Sequence, residues 1–361
     1  MTSFSPRALA AKVRWRAVIA RLSTFVLALL LFTLALLFIR EGVAPIANGL
    51  HRVFHFDSPA SALGFGWLFA ELALSGSPVA AAALSLLDAG VFGPIQTFAM
   101  ISGSRLGAAF IVLLVGFVHL LRGRQRALSL GAGLLSLLVT QSTYLLVLPI
   151  GLLALGRLSW TADLAAAAAV PSPFELLLEP IVRVIETWVP VWALPLIGIA
   201  LLLLTFRLFD RIIPEMHLKE SRVAGLNRLL YRPIVSFLLG ALLTTLTMSV
   251  SVSLGLLVPL SARGYIRQEN IIPYILGANI TTFDDTLIAA VVLGNQAGIS
   301  VVLVQMASVA LVSLTILILA YGPYQRLLVR LAGAIGASPV RLVLYLAAMF
   351  ALPLLLLIGG F

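Results

Sequence analysis

Residues 22–39, LSTFVLALLLFTLALLFI, run for 18 positions without a charge. That is about the length a helix needs to cross the hydrocarbon core of a bilayer. Comparable runs recur along the chain and give nine candidate spans or part-spans: 22–39, 64–87, 94–121, 127–156, 190–209, 233–262, 270–294, 298–320 and 341–359. With 61% apolar residues, 11% charged residues and a mean hydropathy of +1.10, the chain holds more apolar side chain than a soluble core absorbs. Backbone polar groups must find partners within lipid, and Leu- and Ala-rich runs achieve this as helices. The alternation of a transmembrane barrel is missing. The expected fold class is therefore all-α, a polytopic membrane protein forming a single transmembrane domain over residues 1–361. No small-residue cleavage site follows the first run, which reads as a span rather than a cleavable signal.

The net charge of +10 fits membrane orientation better than nucleic-acid binding, since no aromatic-basic recognition pattern accompanies it. Arg7, Lys12, Arg14, Arg16 and Arg21 precede the first span, which places the N-terminus in the cytoplasm. Further basic loops hold Arg122, Arg124 and Arg126, then Arg207 to Arg232, then Arg326, Arg330 and Arg341. The interludes with Arg40, Arg52, Arg157 and Arg183 are offset by acids and belong outside. A bacterial plasma (inner) membrane is the expected location. The absence of cysteine removes disulfides and thiolate sites, and His51, His55, His119 and His217 lack metal-ligand spacing.

This charge pattern makes residues 64–121 run outside to inside and residues 233–294 run inside to outside. Segment 122–232 connects them, and 295–361 supplies the C-terminal spans. At an offset of 174, Ser75 falls on Ser249, Ser77 on Ser251, Leu86 on Leu260, Gly90 on Gly264, Ile101 on Ile275 and Gly103 on Gly277. Two inverted-topology repeats are the expectation, each a re-entrant hairpin with a Ser-x-Ser tip followed by a broken transmembrane helix. This is a common plan for secondary transporters. The expected breaks are Gly103–Gly107 and Gly277–Thr282. Irregular backbone at membrane depth is tolerated where it lines a watery cavity, so these positions point to a binding site. Hydroxyl, amide and freed carbonyl oxygens suit Na⁺, and helix N-termini suit an anion. Thr140–Thr143 (TQST) adds another polar group within a span.

The second unit resembles the sodium/phosphate cotransporter family. That family has a Gln-Ser-Ser-Ser tip and a downstream Gly-Ala-Asn-Ile-Gly-Thr-Thr break. Here GANITT at 277–282 is similar to the break, with Thr281 at the second glycine, and Met248-Ser249-Val250-Ser251 falls on the tip. The first unit departs further, reading Leu74-Ser75-Gly76-Ser77 and Gly103-Ser104-Arg105-Leu106-Gly107. Both family glutamines are replaced, and Arg105 stands where the resemblance places an amide. The expectation is a divergent member without the family's cytoplasmic regulatory domain.

The resemblance implies Na⁺-coupled uptake of inorganic phosphate by alternating access, with Na⁺ as coupling ion and no organic cofactor. The substrate- and ion-binding candidates are Ser75, Ser77, Arg105, Ser249, Ser251, Asn279, Thr281, Thr282, Asp284 and Asp285, with Na⁺ assigned to Ser249, Ser251, Asn279 and Thr281. Arg105 reads either as an anion clamp or as the partner of Asp284, Asp285 or Glu71. Asp284 and Asp285 would repel a phosphate dianion unless a cation or Arg105 intervenes. Glu71 reads as snorkelling, paired or proton-carrying. Two alternatives stay open: the same fold moving another small anion with Na⁺ or H⁺, and a non-transporting membrane scaffold or regulatory protein. An enzyme is not expected, since no HExxH, Gly-x-Ser-x-Gly or nucleophile–base pair is recognisable. The expected partners are the anion, the cation and the lipid bilayer, with no nucleic acid; a homodimer remains open.

Overall fold

The computed structural model describes residues 6–43, 45, 58–121, 126–157, 173–212, 232–247, 250, 253–254 and 268–359. Ser249, Ser251 and the return loop at 263–267 lie outside the described residues. Among those described, all regular structure is helical. The helices are α1 (Pro6–Val43), α2 (Pro59–Ala73), α3 (Ser77–Asp88), α4 (Pro94–Ala108), α5 (Phe110–Leu121), α6 (Arg126–Leu155) and α7 (Pro173–Glu186). They continue with α8 (Leu194–Ile212), α9 (Pro233–Thr247), α10 (Gln268–Thr281), α11 (Asp284–Val292), α12 (Gln296–Thr315), α13 (Tyr321–Gly336) and α14 (Pro339–Gly359). Among the described residues, seven stretches are long and apolar enough to span a bilayer: 23–43, 94–114, 130–155, 191–208, 270–292, 296–336 and 339–359. The chain is thus an integral, all-α polytopic membrane protein by length and composition of its helices.

Residues 64–87 do not form one helix. Ser58 opens α2 by accepting the Ala60 amide at 3.1 Å, with Pro59 at the first helical position. The helix closes at Leu74, a leucine in the left-handed region at φ 53°, whose amide donates to the carbonyls of Ala70 and Glu71. The chain passes through Ser75 and Gly76 and restarts as α3 at Ser77. At 15 and 12 residues, α2 and α3 are about 22 and 18 Å long, too short for a core of about 30 Å. The interruption falls where the Ser-x-Ser motif placed a tip.

The two glycine breaks are corrected. α4 continues through Gly103 and Gly107, and α10 continues through Gly277 and Asn279. The discontinuities come later, at Ala109 and at Thr282–Phe283. The second is slight, because Thr282 still donates to the Ala278 carbonyl at 3.1 Å and Leu287 to that of Phe283 at 2.7 Å. The glycines serve close packing instead. A Cβ on Gly103 would strike the Leu63 carbonyl oxygen of α2, and one on Gly66 the Met100 carbonyl oxygen of α4. Small residues let helix backbones approach this closely where lipid supplies no hydrophobic drive between helices.

The α9–α10 pair repeats these contacts. A Cβ on Gly277 would strike the Phe237 carbonyl oxygen, and one on Gly240 that of Tyr274. Each position is the α2–α4 position shifted by 174. The bounds of α9 are those of α2 under the same shift, as are Ala109 and Phe283. At a third matched point a Cβ on Gly107 would strike the Trp67 carbonyl oxygen, whereas Thr281 sends its hydroxyl to the Ala241 carbonyl at 2.9 Å.

α6 packs against α4, α5, α10, α12 and α13, joining the two pairs through one central helix. Its Ser142 and Thr143 hydroxyls are satisfied by Val139 and Leu138 carbonyls within the helix. Elsewhere a polar knot ties α1 to α3 and the α11–α12 turn. Arg40 meets Asp88 at 3.1 Å and Glu41 at 2.9 Å, and the Asn295 side-chain amide donates to Asp88 at 2.8 Å. The basic loop expected to hold Arg326 and Arg330 is also corrected. After a π-helical turn at Ile316–Ala320, α13 carries Arg326 and Arg330 on a continuing helix. Leu- and Ala-rich composition around Gly322 and Pro323 sustains helix beyond the polar residues, and Pro is tolerated in a first turn.

Candidate functional site

Arg105 lies near the end of α4 and is only 4% exposed. One terminal nitrogen (Nη1) donates to the Thr282 hydroxyl at 3.0 Å. The other (Nη2) donates to Thr286 at 2.7 Å and meets Asp285 Oδ1 at 3.5 Å. Its guanidinium carbon stands 4.8 Å from the centroid of the Phe283 ring, a cation–π arrangement. The Thr286 hydroxyl donates in turn to Asp285 Oδ1 at 2.9 Å. Thr282, Asp285 and Thr286 follow an i, i+3, i+4 spacing, which places all three on one face where the α10–α11 junction meets α4. A lone charge at this burial is costly, so the carboxylate and hydroxyls together make the position tenable.

Three buried polar atoms here have no partner among the described residues: Arg105 Nε, Asn279 Nδ2 and Asp285 Oδ2. Thr140 Oγ1 on α6 is a fourth. Arg105, Thr140, Asn279 and Thr282 line one cavity of roughly 10 Å³ with Ala108, Tyr144 and Val250. That volume is at the lower limit for a single water. Tyr144 closes one wall by donating its hydroxyl to the Asn279 carbonyl at 3.3 Å. Within the stretch expected to free its carbonyl oxygens, the Asn279 carbonyl thus accepts from a tyrosine.

The middle residues of the two Ser-x-Ser motifs, Gly76 and Val250, both approach this place. A Cβ on Gly76, between Ser75 and Ser77, would press on the Ser104 carbonyl and the Ala108 methyl. Val250, between Ser249 and Ser251, lines the cavity beside Ala108. Ser75 and Ser77 are partly buried next to this contact. Thr281 turns away toward α9, and Asp284 is half-buried and hydrogen-bonded by the Thr245 side chain. Of the three carboxylates open as partners for Arg105, the structure selects Asp285. Glu71 bonds Trp67 instead.

Sequence reading left out Tyr144, Thr286 and Phe283. Thr286 was reachable from its helical spacing to Thr282 and Asp285. Tyr144 and Phe283 carried no local signal, because an aromatic residue in an apolar span reads as packing. Compared with protein-family models, curated proteins and solved structures, the chain matches none.

Proposed function

We propose that the chain is a secondary carrier of a small oxyanion, inorganic phosphate first, built from two inverted-topology halves that share one site. The observation that carries this reading is the pairing of Arg105 with Asn279. The two occupy the same position in the halves at the offset of 174, line one cavity, and each keeps a buried N–H donor unpartnered among the described residues. Donors without acceptors suit an oxyanion, and a guanidinium suits it best. The matched packing of α2–α4 and α9–α10 supports the repeat. The opposed charge bias of their flanking loops supports the inversion, with the N-terminus in the cytoplasm of a bacterial inner membrane.

The Arg105–Asp285 pair gives the coupling a physical basis. In the contracted arrangement Asp285 neutralises Arg105. An anion that takes over the guanidinium leaves Asp285 buried without its cation, so Na⁺ or H⁺ must arrive with the anion. Na⁺ is the cation the family resemblance implies. Alternating access then widens and closes the cavity as the two halves move against each other. The reading is of a carrier, not of an enzyme.

Proteoliposomes holding the purified chain are expected to take up radiolabelled phosphate, faster under an inward Na⁺ gradient than without one. Correctly folded protein that takes up neither phosphate nor any other small oxyanion under a Na⁺ or H⁺ gradient overturns the reading.

A further inference from the structure

We propose that Glu71 is a proton-binding site within the membrane-embedded part of the chain, which, resting on the carrier reading, makes a proton one of its coupling ions. Glu71 lies in the last turn of α2 and is 2% exposed. One oxygen, Oε1, accepts the Trp67 indole N–H at 2.8 Å. The other, Oε2, is buried without a hydrogen-bond partner.

The helices packed against α2 are α3, α4 and α14. The charged groups on them are committed elsewhere or lie apart. Asp88 of α3 is held by Arg40 and Asn295. Arg105 of α4 is held by Thr282, Asp285 and Thr286. On α14, Arg341 is exposed. Tyr345 of α14 donates its hydroxyl to Gln141 of α6 at 2.6 Å. No cation among the described residues lies within ion-pair distance of Glu71.

An ionised carboxylate placed there is shielded from water and has no counter-charge among the described residues, an arrangement that disfavours the charged form. A neutral acid fits the same contacts: Oε1 acts as the carbonyl that accepts from Trp67, and Oε2 carries the proton. The second half supplies no equivalent. Thr245 stands at the matched position and bonds Asp284, which is only half-buried. The proton site is thus a feature of the first half alone.

The location also supplies a route for release. The Glu71 carbonyl accepts the amide of Leu74, the left-handed residue that begins the turn through Ser75 and Gly76. A rearrangement of that tip during access from either side uncovers the carboxyl, which then exchanges its proton with water. Left-handed non-glycine residues are costly, and such strain favours a turn that has a second conformation.

The test compares infrared spectra of reconstituted full-length protein with those of Glu71→Gln, which keeps the side chain's shape and its acceptor for Trp67. At neutral pH the wild type is expected to show a protonated-carboxyl C=O band that is lost in the variant. A carboxylate band in its place, with both proteins folded by circular dichroism, overturns the proposal whatever transport shows. Oxyanion uptake is the separate arm. Dependence on an inward proton gradient, lost in Glu71→Gln, supports the coupling role; dependence retained in the variant overturns that role. A protonated Glu71 in a protein without any uptake keeps the proton site and removes the carrier reading, so the two failures are distinguishable.

Discussion

Arg105→Met is expected to abolish oxyanion binding and to give the largest fall in apparent Tm of any single change at the site. The substitution leaves Asp285, 7% exposed, with the Thr286 hydroxyl as its one named donor. Removing one partner of a buried ion pair costs about 3–5 kcal/mol, because the remaining charge has neither water nor counter-charge. Asp285→Asn is expected to cost less. Arg105 still reaches Thr282 and Thr286, the ring of Phe283 stays beneath it, and an amide oxygen can face the guanidinium. The double change Arg105→Met with Asp285→Leu replaces the pair by apolar groups and is expected to recover most of the lost stability. It is not expected to recover phosphate binding. Thermal denaturation in detergent, with and without phosphate, reads both effects. Wild-type phosphate stabilisation of the double variant would make Arg105 a structural partner only.

Gly66→Ala, Gly103→Ala, Gly240→Ala and Gly277→Ala form the second prediction. In each case the new methyl runs into a backbone carbonyl oxygen of the facing helix, at Met100, Leu63, Tyr274 and Phe237 respectively. A backbone oxygen cannot rotate aside as a side chain can, so the two helices must separate. Overpacking of this kind costs typically about 1–3 kcal/mol, and these sites belong at the upper end. Because the four contacts are two contacts used twice, losses are expected to match within each pair, Gly66 with Gly240 and Gly103 with Gly277. Gly333→Ala is the control. Its Cβ meets nothing within 4 Å, and alanine is the better helix former. Yield of monodisperse protein and Tm in detergent check the series. Four near-neutral substitutions would show that the close approach does not hold the helices.

These glycines also mark what the sequence made legible. The recurrence of Gly103 as Gly277 at an offset of 174 was visible, and so was the charge bias from which opposite directions are expected for the two halves. Their role was misjudged, because a glycine in an apolar run has two meanings. It can end a helix, or it can let a second backbone come close, and only the facing helix decides between them. Gly277 and Asn279 remain inside α10, and the discontinuity waits until Thr282–Phe283. The interruption at Ser75–Ser77 was legible from the Ser-x-Ser pair that recurs at the same offset, and Gly76 and Pro78 are residues that resist continuation of a helix there.

The site was partly legible for a related reason. A charge in an apolar span announces itself, so Arg105 and Asp285 stood out without coordinates. Their selection of each other over Asp284 or Glu71 depends on which helix face turns inward across 180 residues of chain. Thr281 illustrates the limit. It sits in the most family-like stretch of the sequence, yet it bonds the Ala241 carbonyl on the packing side of α10, away from the cavity.

The opposed threading of the two halves is tested most directly by single-cysteine labelling, since the natural chain contains no cysteine. Gln125→Cys follows the first half and Gln296→Cys follows the second. In intact cells a membrane-impermeant maleimide is expected to label Gln296→Cys, and to label Gln125→Cys only after permeabilisation. Labelling of both from the same side would place the two halves in the same sense through the membrane and contradict the account.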